Sequence, residues 1–283
     1  MDKIAILGDT SQDLTYEIAD NYGIELISYY VSMDHKIYKD QIDLSAHTFY
    51  KEIKKCQQLK TGIPPAQDVL NKIEKLKQKG YKKAIAITSS SQLTGMVNLY
   101  ESVKGMIKDF ELAIVDTEIV GNAGALIAIE AAKKRDQKLP FHDLIAYIEK
   151  IKKKADIFAI FRSLEYLKRG GRIGAVKATI GDFLNISPIL TVKNNKVDMI
   201  EKVRGKKKSL EKLIQTVKNR LGDSKHYSMG VFQGDNLEEF QQIKAMLKEE
   251  IKKSQLYLES FLTPVLGVHG GPSSLGISVL TFD

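Results

Sequence analysis

The chain has 283 residues, 43% apolar and 28% charged, with a net charge of +8. That is the make-up of a soluble globular protein with room for about two domains of roughly 150 residues each, and no apolar run approaches the ~20 residues that cross a bilayer. The single cysteine, Cys56, excludes an intrachain disulfide framework and fits a reducing cytoplasm.

Met1-Asp2-Lys3, followed directly by Ile4-Ala5-Ile6-Leu7, is too short and acidic for a signal peptide and reads as a first strand. The run stops at Gly8-Asp9, where a helix can begin, and Leu14, Ile18 and Ala19 recur at helical spacing after it. Asp68 to Lys79 places Val69, Leu70, Ile73 and Leu76 on one helical face and stops at Gly80. Lys83 to Thr88 (KAIAIT) is a buried-strand pattern, and Val97, Tyr100, Val103 and Ile107 form the next helical stripe. Leu112 to Asp116 is another strand, followed by helices over Asn122 to Lys134 and Phe141 to Lys153. Strands alternating with helices predict a parallel sheet covered by helices.

The second half reads differently. A strand over Asp156 to Phe161 and a short helix over Leu164 to Arg169 lead into a cluster of glycines at Gly170, Gly171, Gly174 and Gly181. Ile189 to Val192 and Val197 to Val203, joined through Asn194-Asn195, predict a hairpin. Amphipathic helices follow over Lys207 to Leu221 and Leu237 to Ile251, with strands over Met229 to Phe232, Gln255 to Leu262 and Ile277 to Phe282. The expected fold is α/β with two domains. Residues 1–160 form an N-terminal α/β domain with a mainly parallel sheet. Residues 161–283 form a C-terminal α+β domain with a mainly antiparallel sheet.

The positive charge does not point to nucleic acid. Lys72, Lys75 and Lys79 fall on a polar helix face and read as solvated surface, Trp is absent, and no nucleic-acid module is recognisable. The denser cluster Arg204-Gly205-Lys206-Lys207-Lys208 fits two readings: a surface for anionic headgroups or an acidic partner protein, or an exposed helix start.

In α/β sheets ligands collect at the carboxyl ends of strands. Four polar clusters are expected there: Asp9-Thr10-Ser11, Thr61-Gly62, Ser89 to Gly95, and Asp116-Thr117. Asp9, Ser11 and Asp13 are read as helix caps. The Thr61 and Ser89–Gly95 segments gather small hydroxyls and free backbone N–H groups with no evident catalytic base, which suits holding a carboxylate better than breaking a bond. The loop Lys168 to Gly174 is no Walker A or dinucleotide fingerprint. Arg169 reads as a solvated residue in a tight turn, and Arg172 fits either that role or an anion clamp. His269, in Gly267-Val268-His269-Gly270-Gly271-Pro272, has glycine neighbours that let backbone approach a ligand closely. There is no G-x-S-x-G elbow and no zinc or calcium spacing, so no metal is expected. Cys56 has no evident Cys or His partner.

Taken in order, these segments resemble the DegV family of bacterial fatty-acid-binding proteins, which includes the FakB subunits of fatty acid kinase. The matching elements are Asp9 to Leu14, Thr61 to Pro65, Ser90 to Met96, Val115 to Thr117, Leu164 to Ile173, Ser187 to Leu190, Val203 to Lys208 and Gly267 to Pro272, and they span nearly the whole chain. The resemblance implies a cytoplasmic carrier without catalytic residues of its own or a cofactor. It would hold one long-chain fatty acid, such as palmitate or oleate, in a buried tunnel. The carboxylate would lie at Thr61, Gly62, Thr94, Gly95, His269 and Arg172. A dihydroxyacetone-kinase-like partner would phosphorylate it for phospholipid synthesis, docking at Arg204, Lys206 and Lys207, with transient membrane-surface contact a further expectation. This chain departs from the family pattern where Gly62 and Thr94 replace serines, Ile63 a glutamine and Ser187 a lysine. The competing expectation is an acyl hydrolase or transferase that uses Ser90 or Ser91 with His269.

Overall fold

The computed structural model describes residues 3–174, 176 and 186–283; Gly181 of the expected glycine cluster, and Met1 and Asp2 ahead of the first strand, lie outside them. The first half runs β1 (Ile4–Asp9), α1 (Tyr16–Asn21), β2 (Ile24–Ile27), β3 (Tyr30–Met33), β4 (Lys36–Lys39), α2 (Ala46–Glu52), β5 (Leu59–Gly62), α3 (Ala66–Gln78), β6 (Lys83–Thr88), α4 (Met96–Lys104), β7 (Glu111–Asp116), α5 (Asn122–Asp136) and α6 (Phe141–Ile151). Strands β2-β1-β6-β7 form a parallel sheet in that order. Their near-continuous apolar sequences follow from burial on both faces. The antiparallel sheet β4-β3-β5 was not expected. Its four-residue strands are too short and mixed in polarity to stand out.

The second half runs β8 (Ala155–Ile160), α7 (Glu165–Arg169), β9 (Ile186–Lys193), β10 (Lys196–Arg204), α8 (Lys206–Leu221), β11 (Tyr227–Gln233), α9 (Leu237–Met246), α10 (Lys248–Lys253), β12 (Tyr257–Phe261), α11 (Pro264–Gly270) and β13 (Leu275–Thr281). The sheet order is β10-β9-β8-β13-β11-β12, antiparallel except for the β11–β12 pair. A boundary after residue 160 would cut β8 away from this sheet; the change from one sheet to the other falls before Ala155. The β9–β10 hairpin turns at Asn194 (φ 50°) and Asn195 (φ 65°), both left-handed as a two-residue type I′ turn demands. The single helix expected over Leu237 to Ile251 is two helices, because the backbone opens at Leu247 (φ −107°, ψ 15°). Leu247 is fully buried, so the apolar period passes through the break unchanged.

One face of the second sheet packs Phe158, Ile160 and Val231 against Leu213, Val217 and Phe240 of α8 and α9. The other face contributes Ile157, Ala159 and Phe232 to the core of the first half. Helix α5 joins the two. Every residue from Asn122 to Ile129 is buried, and the helix touches β1 and β6 on one side and β8, β11 and β13 on the other. Its alanines and glycine allow this close approach from both sides.

Candidate functional site

Between the halves lies a cavity with about 1000 Å³ of space not filled by protein, part of it open to solvent. Its apolar wall includes Ile157 and Ala159 of β8, Leu190 and Val192 of β9, Phe232 of β11 and Val265 of α11. Among the polar lining residues are Ser11, Tyr29, Thr61, Thr94, Arg172 and His269, and the backbones of Gly62 and Gly95 also face the cavity.

The structure brings together all six residues expected at the site, by different routes. Thr94 and Gly95 lie in the loop after β6, the carboxyl end of a parallel strand as expected, where the Leu93 and Thr94 amides both donate to the Ser90 carbonyl at 3.0 Å. Thr61 and Gly62 do not sit at such an end. They belong to β5, paired antiparallel to β3 with Thr61 opposite Val31. Ile63, just past β5, places its side chain against the open Cα face of Gly95.

His269, in the last turn of α11, places Nε2 2.9 Å from Thr61 Oγ1. Burial, with a smaller contribution from the Arg172 charge, pushes its pKa down to about 4, so the ring is neutral at physiological pH. Among the described residues its Nδ1 is buried without a hydrogen-bond partner, and it is walled by Gly170, where any Cβ would fall on that nitrogen. The Arg172 guanidinium donates to the Leu93 carbonyl from Nε (3.3 Å) and Nη2 (3.2 Å) and to the Gly170 carbonyl from Nη1 (2.8 Å). Among the described residues it meets no carboxylate, which leaves its charge available to an anion.

Behind the site lies a buried polar network that the sequence reading treated as caps. Asp9 does cap the turn after β1, accepting from the Ser11 amide at 2.9 Å and from the Ser11 hydroxyl. Ser11 Oγ also lies 2.8 Å from Ser89 Oγ and 3.5 Å from the Tyr29 hydroxyl. Tyr29 is 4% exposed, and burial holds its hydroxyl protonated. Ser11 and Tyr29 were not assigned to the site; nothing local in the sequence separates a cavity-facing hydroxyl from a capping one. Asp13 closes the turn after β1 through its left-handed backbone (φ 55°), but its side chain caps no helix. Thr15 caps α1, and Asp13 Oδ1 instead accepts from the Thr263 amide at 3.0 Å, across the two halves.

The Ser/His pairing expected of a hydrolase is not formed. Ser90 Oγ donates to the Asn195 carbonyl at 2.9 Å, Ser91 offers its amide to Asp116, and His269 faces Thr61. Cys56 donates weakly to the Glu52 carbonyl. Lys72 and Lys79, read as solvated, both pair with Glu25, at 3.0 and 2.8 Å. Arg169 pairs with Glu165 and also donates to the Gln57 carbonyl, so it ties the turn to the first half. Arg204, Lys206 and Lys207 are exposed at the junction of β10 and α8, outside the cavity lining. Among the described residues no cluster of His, Cys, Asp or Glu could hold a metal ion, and no helix is long and apolar enough to cross a membrane.

The family model described as "Uncharacterised protein, DegV family" matches residues 3–281. A DegV domain-containing protein of Clostridium acetobutylicum is 32% identical over 281 residues, 99% of both chains. One of Clostridium perfringens is 30% identical over 280 residues, 97% of this chain and 98% of the other. Among solved structures, a Bacillus subtilis DegV described as a fatty acid binding protein superposes with a TM-score of 0.90 at 25% identity, over 100% of both chains. A Thermus thermophilus DegV family protein, described by its fatty acid binding, gives 0.91 at 20% identity over 99% of this chain and 100% of the other. The Streptococcus pneumoniae fatty acid kinase B3 protein, loaded with linoleic acid, gives 0.84 at 17% over 100% of both. On the reach of the family model and these identities, the chain belongs to the DegV family.

Proposed function

We propose that this protein binds a single long-chain fatty acid in the cavity between its halves and presents the carboxylate to a partner fatty acid kinase. The observation that carries the reading is the gathering of Thr61, Thr94, Arg172 and His269 in a mainly apolar cavity. An apolar pocket with a few convergent polar groups is the usual form of a small-molecule site.

The energetics suit a lipid. Burying about 14 methylenes at ~0.8 kcal/mol each gives roughly 11 kcal/mol before ordering costs. A buried carboxylate needs partners. The neutral His269, with its proton on Nε2, donates to Thr61 and leaves the Thr61 hydroxyl hydrogen free to meet a carboxylate oxygen. Thr94 supplies a second hydroxyl, the Gly62 and Gly95 backbones allow close approach, and Arg172 supplies the countercharge. The protein acts as a cytoplasmic carrier. Phosphoryl transfer belongs to the kinase, which docks at the exposed cations Arg204, Lys206 and Lys207, and the acyl phosphate passes to phospholipid synthesis.

Native mass spectrometry of the purified protein, followed by release of any bound molecule, tests the reading. One long-chain fatty acid per chain is the expected result. A mass still free of ligand after incubation with palmitate and oleate would overturn it.

A further inference from the structure

His269 owes its place to a segment held at both ends by the other half of the molecule. Helix α11 has seven residues and follows Thr263 directly. At its start, the Thr263 amide donates to Asp13 Oδ1 at 3.0 Å. The Thr263 hydroxyl lies 2.9 Å from the Thr10 carbonyl and 3.3 Å from the same Asp13 oxygen. Asp40, also buried, faces the Val265 amide and the Thr10 hydroxyl. At its end, His269 meets Thr61. Seven helical residues span only about 10 Å, so a shift at Thr263 passes almost undiminished to the imidazole. The ring has little room to adjust, since Gly170 backs Nδ1.

We propose that Asp13 is a positioning residue for the ligand site: by fixing Thr263 it sets the start of α11 and so holds the His269 ring against Thr61. Asp13 touches no ligand in this account, and Thr15 already caps the helix next to it. An acid buried between the halves serves the second half, where the site needs it. The inference rests on the fatty-acid reading for its affinity readout alone.

The test uses Asp13→Ala, Thr263→Val and Thr263→Ser in the full chain. Ring nitrogen–proton NMR follows His269, assigned by its loss in His269→Gln, and displacement of a fluorescent fatty acid gives affinity. Asp13→Ala and Thr263→Val should move the His269 Nε2 signal and weaken binding about tenfold, while Thr263→Ser retains the wild-type signal and affinity. Folded Asp13→Ala and Thr263→Val proteins with an unmoved His269 signal would overturn the proposal. If Asp13→Ala does not fold, the Val and Ser variants of Thr263 decide it. Wild-type protein that binds no fatty acid would defeat the carrier reading, and the NMR comparison would still decide the role of Asp13.

Discussion

The Thr61 hydroxyl and the His269 imidazole meet at 2.9 Å although 208 residues separate them in the chain. One rides on the edge strand of a small antiparallel sheet and the other on a seven-residue helix. Neither has a polar role inside its own element. The pair ties the end of α11 to the first half beside the cavity, and the expectations below probe its part in binding.

Thr61→Ala combined with Thr94→Ala should weaken fatty-acid binding strongly, each lost hydrogen bond to a charged group costing ~1.5–3 kcal/mol. Fluorescent fatty-acid displacement measures it. Unchanged affinity would remove both hydroxyls from the site.

Gly170→Ala should damage the site without deleting any polar group. Gly170 has φ −76°, so its backbone accepts alanine, but the new methyl would occupy the place of His269 Nδ1. Affinity should fall at least as far as in His269→Ala, with the melting temperature less affected than the binding. Wild-type binding by this variant would mean that the imidazole can move freely.

His269 should not titrate in the free protein above about pH 5, because burial lowers its pKa to about 4. Ring chemical shifts followed from pH 8 to 5 give the answer directly. A midpoint near the ordinary value of 6.5 would mean that the ring is hydrated.

Stability should decline as pH rises from 5 to 8. Burial lifts Asp9 to about 6 and Asp13 and Asp40 to about 7, above their ordinary 3.8. The folded chain therefore holds protons that the unfolded chain has lost. That stabilisation is complete below about pH 4 and is lost as pH climbs through 6 to 7. His269 acts in the opposite sense: its contribution is complete above pH 6.5 and is lost on acidification towards 4. Three carboxyls outweigh one imidazole. Tyr50, buried against Asp13 and Asp40, stays neutral throughout. Urea unfolding across this range should show the decline, and Asp40→Asn should flatten it. Rising stability up to pH 8 would mean that these carboxyls are ionised in the folded chain.

The alternation of elements was legible because each buried parallel strand is an apolar run and each helix carries one apolar stripe, as in Lys83–Thr88 and Ala66–Gln78. Asn194-Asn195 announced its hairpin by the backbone angles it favours. The site was legible in its residues but not in its construction. Thr61 was placed at the end of a parallel strand because strand β3, its partner, has only four residues of mixed polarity. Asp13 was taken for a cap because its true partner, Thr263, lies 250 positions away. Helix α9 ends early because of backbone angles at a residue, Leu247, that fits the helical stripe perfectly well.

Strand β13 is buried at every position and lies between β8 and β11. Until it docks, the second sheet is two separate ribbons, β10-β9-β8 and β11-β12, each with an apolar, unpaired margin. Because β13 follows all of them in the chain, folding of this half has to wait for its latest element, and non-local pairing of this kind is slow. In the interval, the free edges of β8 and β11 are templates for mispairing between chains. Any lesion that delays or weakens Leu275–Thr281 should therefore appear first as aggregation during synthesis, before any loss of affinity in the protein that does fold.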